Sequence, residues 1–281
     1  MRFAAIADIH GNHLALEAVL ADIRAQGISD IVDLGDMVSG PLDARPTIDR
    51  LMALDAVHLL GNHDRYLIDR PHEKMGSWER RTYTQLAPAH FDWLRTLPAH
   101  AVYRDEVFLC HATPQDDETY WLDTVLPGGE VLMSPLEAIA AKAAGVTQSL
   151  ILCAHTHLAR VVRLGDGRLI VNPGSVGSPG YRAGKPHPHV VEAGSPDARY
   201  AILEQIDGDW DVTFRHIPYD HAAMAALARR NGEAELASAL ATDGRSSATI
   251  NRSFGAIPGM ILAGCMSPHI MRWEWSISCR T

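Results

Sequence analysis

Five short apolar runs in this chain each lead into Asp, Asn or His residues, and that repetition constrains the fold more than any other feature of the sequence. The run Ile31-Val32-Asp33-Leu34 reads as a buried strand of a parallel sheet. It closes on Gly35-Asp36, where glycine lets the backbone turn sharply. Residues 2–9 read as a first strand that delivers Asp8 and then His10. Val57-His58-Leu59-Leu60 leads into Gly61-Asn62-His63-Asp64, and Val107-Phe108-Leu109-Cys110 ends at His111. Leu150-Ile151-Leu152-Cys153 ends in Ala154-His155-Thr156-His157. Open α/β sheets place ligand sites at the carboxyl ends of their strands, so these side chains are expected to converge on one place.

The segments between the runs fit that scheme. Asn12 caps a helix expected to reach about Gln26, with Leu14, Leu16, Val19, Leu20 and Ile23 on its buried side and Gly27 as its stop. A second helix covers about 44–54, so the chain opens β-α-β-α-β, the pattern of a layered α/β fold. Residues 65–99 read as helical, with Trp78, Phe91 and Trp93 as core candidates, and a helix covers about 135–144. Residues 161–164 and 169–172 flank Gly165-Asp166-Gly167 as a hairpin, and 200–206 and 211–217 form another, which adds antiparallel strands. Residues 173–198, rich in Gly, Pro and Ser, read as a long loop of the kind that is functional or mobile. The Ala-rich segment 221–241 reads as helix.

A formal charge of −9 over 281 residues argues against general nucleic-acid binding, which needs a basic footprint. It leaves a phosphate substrate open, because bound divalent ions reverse the local potential. Cys110, Cys153, Cys265 and Cys279 show neither CxxC pairs nor regular spacing, so a disulfide framework or zinc ribbon is not expected. Asp8 interrupts the N-terminal apolar stretch too early for a signal peptide, and the late apolar run 256–266 contains Pro258 and is short of the roughly 20 residues that span a bilayer. These readings give a soluble, reduced, cytoplasmic protein with no membrane partner. One domain is expected over 1–243. Residues 244–281, with Trp273 and Trp275, form an extension compatible with an ordered end, a dimer contact making a homo-oligomer, or partial disorder.

The chemistry follows from the donors. Asp8-x-His10 offers an oxygen and an imidazole two residues apart, which on an extended backbone share a side, and His155-x-His157 repeats the device. With Asp36, Asn62 and His111 they make a mixed N/O set suited to Mn, Fe, Co, Ni or Zn rather than to calcium. Two ions sharing a carboxylate lie about 3.5 to 4 Å apart and hold a bridging hydroxide, a nucleophile for phosphorus. Single residues of this kind have plainer readings. Asn12 is read as a helix cap, Cys110 and Cys153 as small buried side chains outside the site, and Asp116-Asp117-Glu118 as a solvated rim. In the loop, Arg182, Lys185 or His189 is expected to touch a distal phosphate or base of the substrate.

Taken together, the ordered motifs resemble the calcineurin-like metallophosphoesterase superfamily, whose pattern is DxH, GDxx, GNH[DE], H and GHxH. Here these stand as Asp8-Ile9-His10, Gly35-Asp36-Met37-Val38, Gly61-Asn62-His63-Asp64, His111 and Ala154-His155-Thr156-His157, over roughly residues 1–217. Ala154 departs from the family's usual glycine, which is tolerable unless the backbone there needs a positive φ. The resemblance implies a four-layer α-β-β-α sandwich with mixed sheets and two divalent ions, manganese first. It implies one metal on Asp8, His10, Asp36 and His157 and a second on Asp36, Asn62, His111 and His155. His63 would contact the phosphate and give a proton to the leaving oxygen, with Asp64 orienting its imidazole. A finer resemblance, carried by residues 172–177 (Asn-Pro-Gly-Ser-Val-Gly) and by His111-Ala112-Thr113-Pro114, is to the small bacterial branch of YfcE-like phosphodiesterases and diadenosine-polyphosphate hydrolases. That implies hydrolysis of a small phosphodiester or nucleotide, such as a dinucleoside polyphosphate. A serine/threonine protein phosphatase with the same centre is the alternative; Ser39-Gly40-Pro41 and Asp64 depart from the eukaryotic-type motifs. A non-catalytic scaffold, as in the retromer subunit of this fold, is the third reading.

Overall fold

The first strand shows how the layers of this fold arise. In β1 (Arg2–Ile6) the side chains alternate, with Phe3 and Ala5 pointing into one apolar core and Ala4 and Ile6 into another. A strand with apolar residues on both faces must be covered on both, so its sheet becomes an inner layer. The computed structural model describes residues 1–241. After β1 come α1 (His13–Ala25), β2 (Ile31–Asp33), α2 (Ala44–Met52) and β3 (Val57–His58), followed by the helices α3 (Asn62–Asp69), α4 (Ser77–Tyr83) and α5 (Pro88–Leu94). Then come β4 (His100–Tyr103), β5 (Val107–Cys110), β6 (Asp123–Val125), β7 (Val131–Met133), α6 (Leu136–Lys142), β8 (Leu150–Leu152), β9 (Arg160–Arg163) and β10 (Leu169–Asn172). The described chain ends with β11 (Gly180–Ala183), β12 (His189–Glu192), β13 (Ala198–Ile206), β14 (Asp209–Ile217), α7 (His221–Arg230) and α8 (Ala234–Ala241).

One sheet runs β14-β13-β1-β2-β3 and the other β4-β5-β8-β10-β9. In each, three parallel strands are joined to antiparallel neighbours: β1, β2 and β3 beside the β13–β14 hairpin, and β5, β8 and β10 between β4 and β9. Between the sheets lies a core built from Phe3, Val32, Leu109, Leu152, Val171 and Leu203, among others. The outer face of the first sheet packs through Ile6, Tyr200 and Ile202 on Leu16, Val19 and Leu20 of α1 and Ile48 of α2. The outer face of the second packs through Ile151, Val162 and Ile170 on Ile139 of α6. The fold is the expected α/β sandwich with mixed sheets and helices on both outer sides.

Local signals explain the boundaries. Asn12 Oδ1 accepts the Ala15 N–H at 3.2 Å and starts α1, while Gly27, at φ +69°, follows its end. The expected buried face holds, except that Leu14 is only half-buried and packs with α7 and α8 instead. Residues 173–198 are not one long loop: β11 and β12 form a separate antiparallel ribbon, pairing Gly180 with Glu192 and Ala183 with His189. Pro186 and Pro188 between the strands mask it, because proline signals a loop more strongly than these short strands signal pairing. Trp78 is also not in a core, although Phe91 and Trp93 do pack on one. The domain boundary at 243, the 244–281 extension and its tryptophans, and the run 256–266 lie outside the described residues. Among the described residues no helix is long and apolar enough to cross a membrane.

A polar cluster ties α1 to the β13–β14 hairpin. The Tyr200 hydroxyl donates to Asp22 Oδ2 at 2.6 Å, and Arg215 donates to the same carboxylate at 2.8 and 3.1 Å. Burial alone would raise the Asp22 carboxyl, but the hydrogen bonds from Arg215 and Tyr200 outweigh it and hold its pKa below the ordinary value. A carboxyl with a depressed folded-state pKa contributes stability above its unfolded value, about 3.9, and loses it as pH falls through the folded value. Asp22→Asn is therefore expected to cost about 1–3 kcal/mol in chemical denaturation at pH 7, with the gap narrowing by pH 3. A gap of equal size at both pH values would show that the charge contributes nothing.

Candidate metal centre

The strand-end residues of both sheets meet at one edge of the sandwich. Asp8, His10, Asp36 and Asn62 follow β1, β2 and β3 of the first sheet, and His111, His155 and His157 follow β5 and β8 of the second. They form two clusters, Asp8 with His10 and His157, and Asp36 with His111 and His155, and within each cluster the donor atoms lie within 4.8 Å of one another. Asp36 stands between the clusters, its Oδ2 at 3.3 Å from His111 Nε2 and 3.9 Å from His10 Nε2. The amide oxygen of Asn62 lies 3.1 Å from His111 Nε2.

The loops reach this arrangement by unusual backbone. Asp8, His10, Asp36, His155 and His157 all have positive φ, between 50° and 69°, so the DxH and HxH pairs converge from left-handed turns rather than from the expected extended strand. Ala154 is not among the positive-φ residues, so its methyl group replaces the family's glycine without backbone conflict. Gly35, at φ +97°, lies against Gly61 so closely that a Cβ on it would meet Gly61 N at 2.4 Å. The Asp36 and Asn62 loops thus touch backbone to backbone.

Each histidine is held by one ring nitrogen so that the other is presented to the centre. His10 Nδ1 pairs with Ser39 O at 2.7 Å, His111 Nδ1 with Leu34 O at 2.8 Å, His157 Nδ1 with Ser178 O at 2.9 Å, and His155 Nε2 with Glu118 O at 2.9 Å. A carbonyl accepts, so each of these nitrogens donates, and such backing is the usual support of a metal-binding imidazole. Burial, reinforced by neighbouring histidines, lowers His10 and His155 to about 4 and holds His157 well below the ordinary imidazole value, which leaves their inward nitrogens as lone pairs. Two of these, His10 Nε2 and His157 Nε2, face each other at 3.1 Å. Both oxygens of Asp8 are buried without a hydrogen-bond partner, a costly state for a carboxylate. Against the penalty of burial, Asp36 pushes His111 up to about 10, so this is where positive charge is most stabilised. Crowded lone pairs, an orphaned carboxylate and a strongly favoured positive charge are what a site for two divalent cations requires, and the residues fit that group.

His63 lies beside the clusters with its ring partly open. Its backbone N–H donates to Asp36 Oδ1 at 2.9 Å, and its ring Nδ1 sits 2.5 Å from Glu79 Oε1. Asp64, expected behind this imidazole, is used elsewhere. As the third residue of α3 it accepts the N–H groups of Gly61 at 3.3 Å, Met37 at 3.1 Å and Val38 at 3.4 Å, capping the helix and clamping the Asp36 loop. The carboxylate on His63 comes from α4. Burial disfavours the imidazolium, but Asp36 and Glu79 outweigh it and raise the His63 pKa above the ordinary value.

Comparison with known proteins agrees with this geometry. A family profile described as the calcineurin-like phosphoesterase superfamily domain matches residues 1–193. The chain belongs to this superfamily. It is 26% identical over 231 residues to an uncharacterized protein of Methanocaldococcus jannaschii, covering 77% of this chain and 87% of that one. Its fold matches a metallophosphoesterase from Sphaerobacter thermophilus at 28% identity with a TM-score of 0.66, over 87% of this chain and 99% of the other. A hypothetical protein from Pyrococcus horikoshii OT3 matches with a TM-score of 0.66 at 19% identity, over 86% and 98% of the two chains.

In this calcineurin-like phosphoesterase a cavity of about 560 Å³ opens over the clusters. Of the three loop residues expected to touch the substrate, Arg182 and Lys185 line it. His189 does not. It is buried behind the wall, with Nδ1 on His187 O at 2.7 Å and Nε2 at 3.0 Å from the Tyr120 hydroxyl. Trp78, Tyr120, Tyr181 and Glu233 line the cavity, and nothing in the sequence motifs pointed to them. The acidic loop is more than a solvated rim, since Arg65 holds Asp117 through two hydrogen bonds and also reaches Glu118, whose carbonyl backs His155. Residues 172–178 form a second brace: Asn172 Nδ2 donates to Ala154 O at 2.8 Å, and Ser175 Oγ donates to Asp8 O at 2.7 Å. Cys110 and Cys153 are buried and free, outside both clusters.

Elemental analysis after dialysis against Mn²⁺ tests the assignment. Asp8→Ala and His155→Ala are each expected to bind less metal than the wild type, whereas His63→Ala retains the wild-type content. Loss of metal from the His63 variant would make that ring a ligand.

Proposed function

We propose that this protein is a dinuclear metal-dependent phosphoesterase that hydrolyses a small phosphodiester or nucleotide. The observation that carries the reading is the buried, unpartnered carboxylate of Asp8 beside facing lone pairs of His10 and His157, with Asp36 between that cluster and the next. Two divalent ions there, manganese first and iron, zinc, nickel or cobalt as substitutes, would supply Lewis acidity and lower the pKa of water. Asp8, His10, Asp36 and His157 would hold one, and Asp36, Asn62, His111 and His155 the other.

The chain's own residues do the rest. His63 contacts the phosphate and gives its proton to the leaving oxygen, the role for which an imidazole beside the cavity is suited. Glu79 fixes the ring by binding Nδ1, so that Nε2 carries the transferable proton. Arg182 and Lys185 on the β11–β12 ribbon bind a second anionic group of the substrate. The presence of the complete donor set together with His63 and its carboxylate argues against a scaffold, which has no use for a positioned proton donor. The brace formed by residues 172–178 supports the finer reading, a member of the small-molecule branch of YfcE-like phosphodiesterases and diadenosine-polyphosphate hydrolases.

Chelator-stripped protein is expected to be inactive and to cleave an aryl phosphodiester or diadenosine tetraphosphate once Mn²⁺ is restored. Protein shown to hold two ions per chain that cleaves neither would refute the reading. Glu79→Gln is expected to lower kcat by about 10- to 100-fold at unchanged metal content, with partial recovery in Glu79→Asp. A variant with wild-type kcat would remove Glu79 from the mechanism.

A further inference from the structure

We propose that Trp78 is the seat for a planar aromatic group on the leaving side of the substrate, which makes it the residue that selects nucleoside or aryl phosphoesters over aliphatic ones. The inference rests on the phosphoesterase reading above and narrows its substrate class. Four large aromatic side chains line the cavity, all of them in ring contact with a histidine, and three are in addition held by a guanidinium or a hydrogen bond. The face of Tyr66 is covered by the Arg70 guanidinium, 3.1 Å from the ring centroid. Tyr120 and Tyr181 hydrogen-bond each other at 2.6 Å, and their rings meet His155 and His157 at near-perpendicular angles, with centroids 5.4 and 4.7 Å apart.

Trp78 is different. It is half-buried, belongs to none of the apolar cores, and its indole N–H has no hydrogen-bond partner among the described residues. A tryptophan that serves packing alone is normally covered and finds a partner for that N–H. Here α4 sends the neighbouring Glu79 to His63 and presents the indole at the cavity. The ring centroid lies 6.2 Å from that of His63 and 5.7 Å from that of His10. His63 is the proposed proton donor to the leaving oxygen, so the group that departs lies against the indole. Arg182 and Lys185 give positive charge to another part of the lining, although Arg182 is shared with Glu235 at 3.3 Å. The cavity therefore offers cations for phosphate and, in its wall, a half-buried indole against which a ring can lie.

Stacking of a base on an aromatic side chain typically changes affinity by about tenfold or more. The test uses Mn²⁺-loaded full-length protein and isothermal titration with adenosine 5′-monophosphate and ribose 5-phosphate, which share sugar and phosphate and differ by the base. The wild type is expected to bind the nucleotide about tenfold or more tightly than the sugar phosphate. Trp78→Ala should abolish that difference with ribose 5-phosphate affinity unchanged, and Trp78→Phe should keep most of it. Equal affinities in the wild type, or a preference undiminished in Trp78→Ala, would overturn the proposal. Equal weakening of both ligands in Trp78→Ala would also overturn it, by making the indole a support of the metal centre. Failure of adenosine 5′-monophosphate to bind a protein that hydrolyses the aryl diester refutes the role of Trp78 alone. Failure of binding together with failure of hydrolysis refutes the phosphoesterase reading beneath it.

Discussion

The structure depends on forcing like groups together. A buried carboxylate without a partner, facing imidazole lone pairs and a second carboxylate repel one another, and the chain bends five of these residues into left-handed backbone to do it. Each such residue costs about 1–3 kcal/mol and persists only where its surroundings over-determine it. What over-determines it is pairing that continues past the strands. Asp8 N–H donates to Gly35 O, His10 N–H to Asp36 O, Ala154 N–H to His111 O and Gly177 N–H to Asp8 O. The loops are thus zipped to each other as their strands are, and an individual ligand cannot relax without opening its neighbour.

That zipper is secured by the sandwich beneath it. Both sheets end at the same edge because the inner core of Phe3, Val32, Leu109 and Leu152 holds them face to face, and a shift between them would separate Asp36 from His111. The parallel strands bring their carboxyl ends to this edge, while the antiparallel partners β4, β9, β13 and β14 extend the sheets without delivering a ligand. Stability and chemistry are therefore divided along the strand direction, with apolar alternation in the strands and polar donors in the turns that follow them.

This division explains what could be read from the sequence. The donors Asp8, His10, Asp36, Asn62, His111, His155 and His157 each sit within a few residues of an apolar run, so local pattern alone locates them. The layered class and two of the three β-hairpins of the sheets, β9–β10 and β13–β14, were legible for the same reason, whereas the β4–β5 hairpin was not read. The partners of those donors were not. Glu79 meets His63 from a separate helix, the carbonyls of Ser39 and Ser178 carry no side-chain signal, and Asp64 was expected as the partner of His63 only through the family resemblance. Trp78 read as core because helical periodicity records that a residue is apolar, not whether the surface it meets is protein or an open cavity. The β11–β12 ribbon was hidden by its prolines, and His189 with it.

The same contrast separates reactivity from selectivity. The ligand loops follow strands whose register is fixed by a core, and they leave little freedom for variation. The walls of the cavity come from pieces outside those strands: α4 between β3 and β4, the acidic loop after β5, the β11–β12 ribbon after β10, and the turn between α7 and α8 that follows the last strand. These inserts can change length and composition at small cost to the sheets, because loop closure entropy grows slowly with length. Within one superfamily, then, the metal donors state the reaction, and the identity of the substrate is written in the inserts. In this chain the α4 insert contributes both to His63 through Glu79 and to the cavity wall through Trp78, on consecutive residues. The proposed proton donor and the proposed seat of the leaving group are consequently set by one short helix, which would couple what leaves to what protonates it.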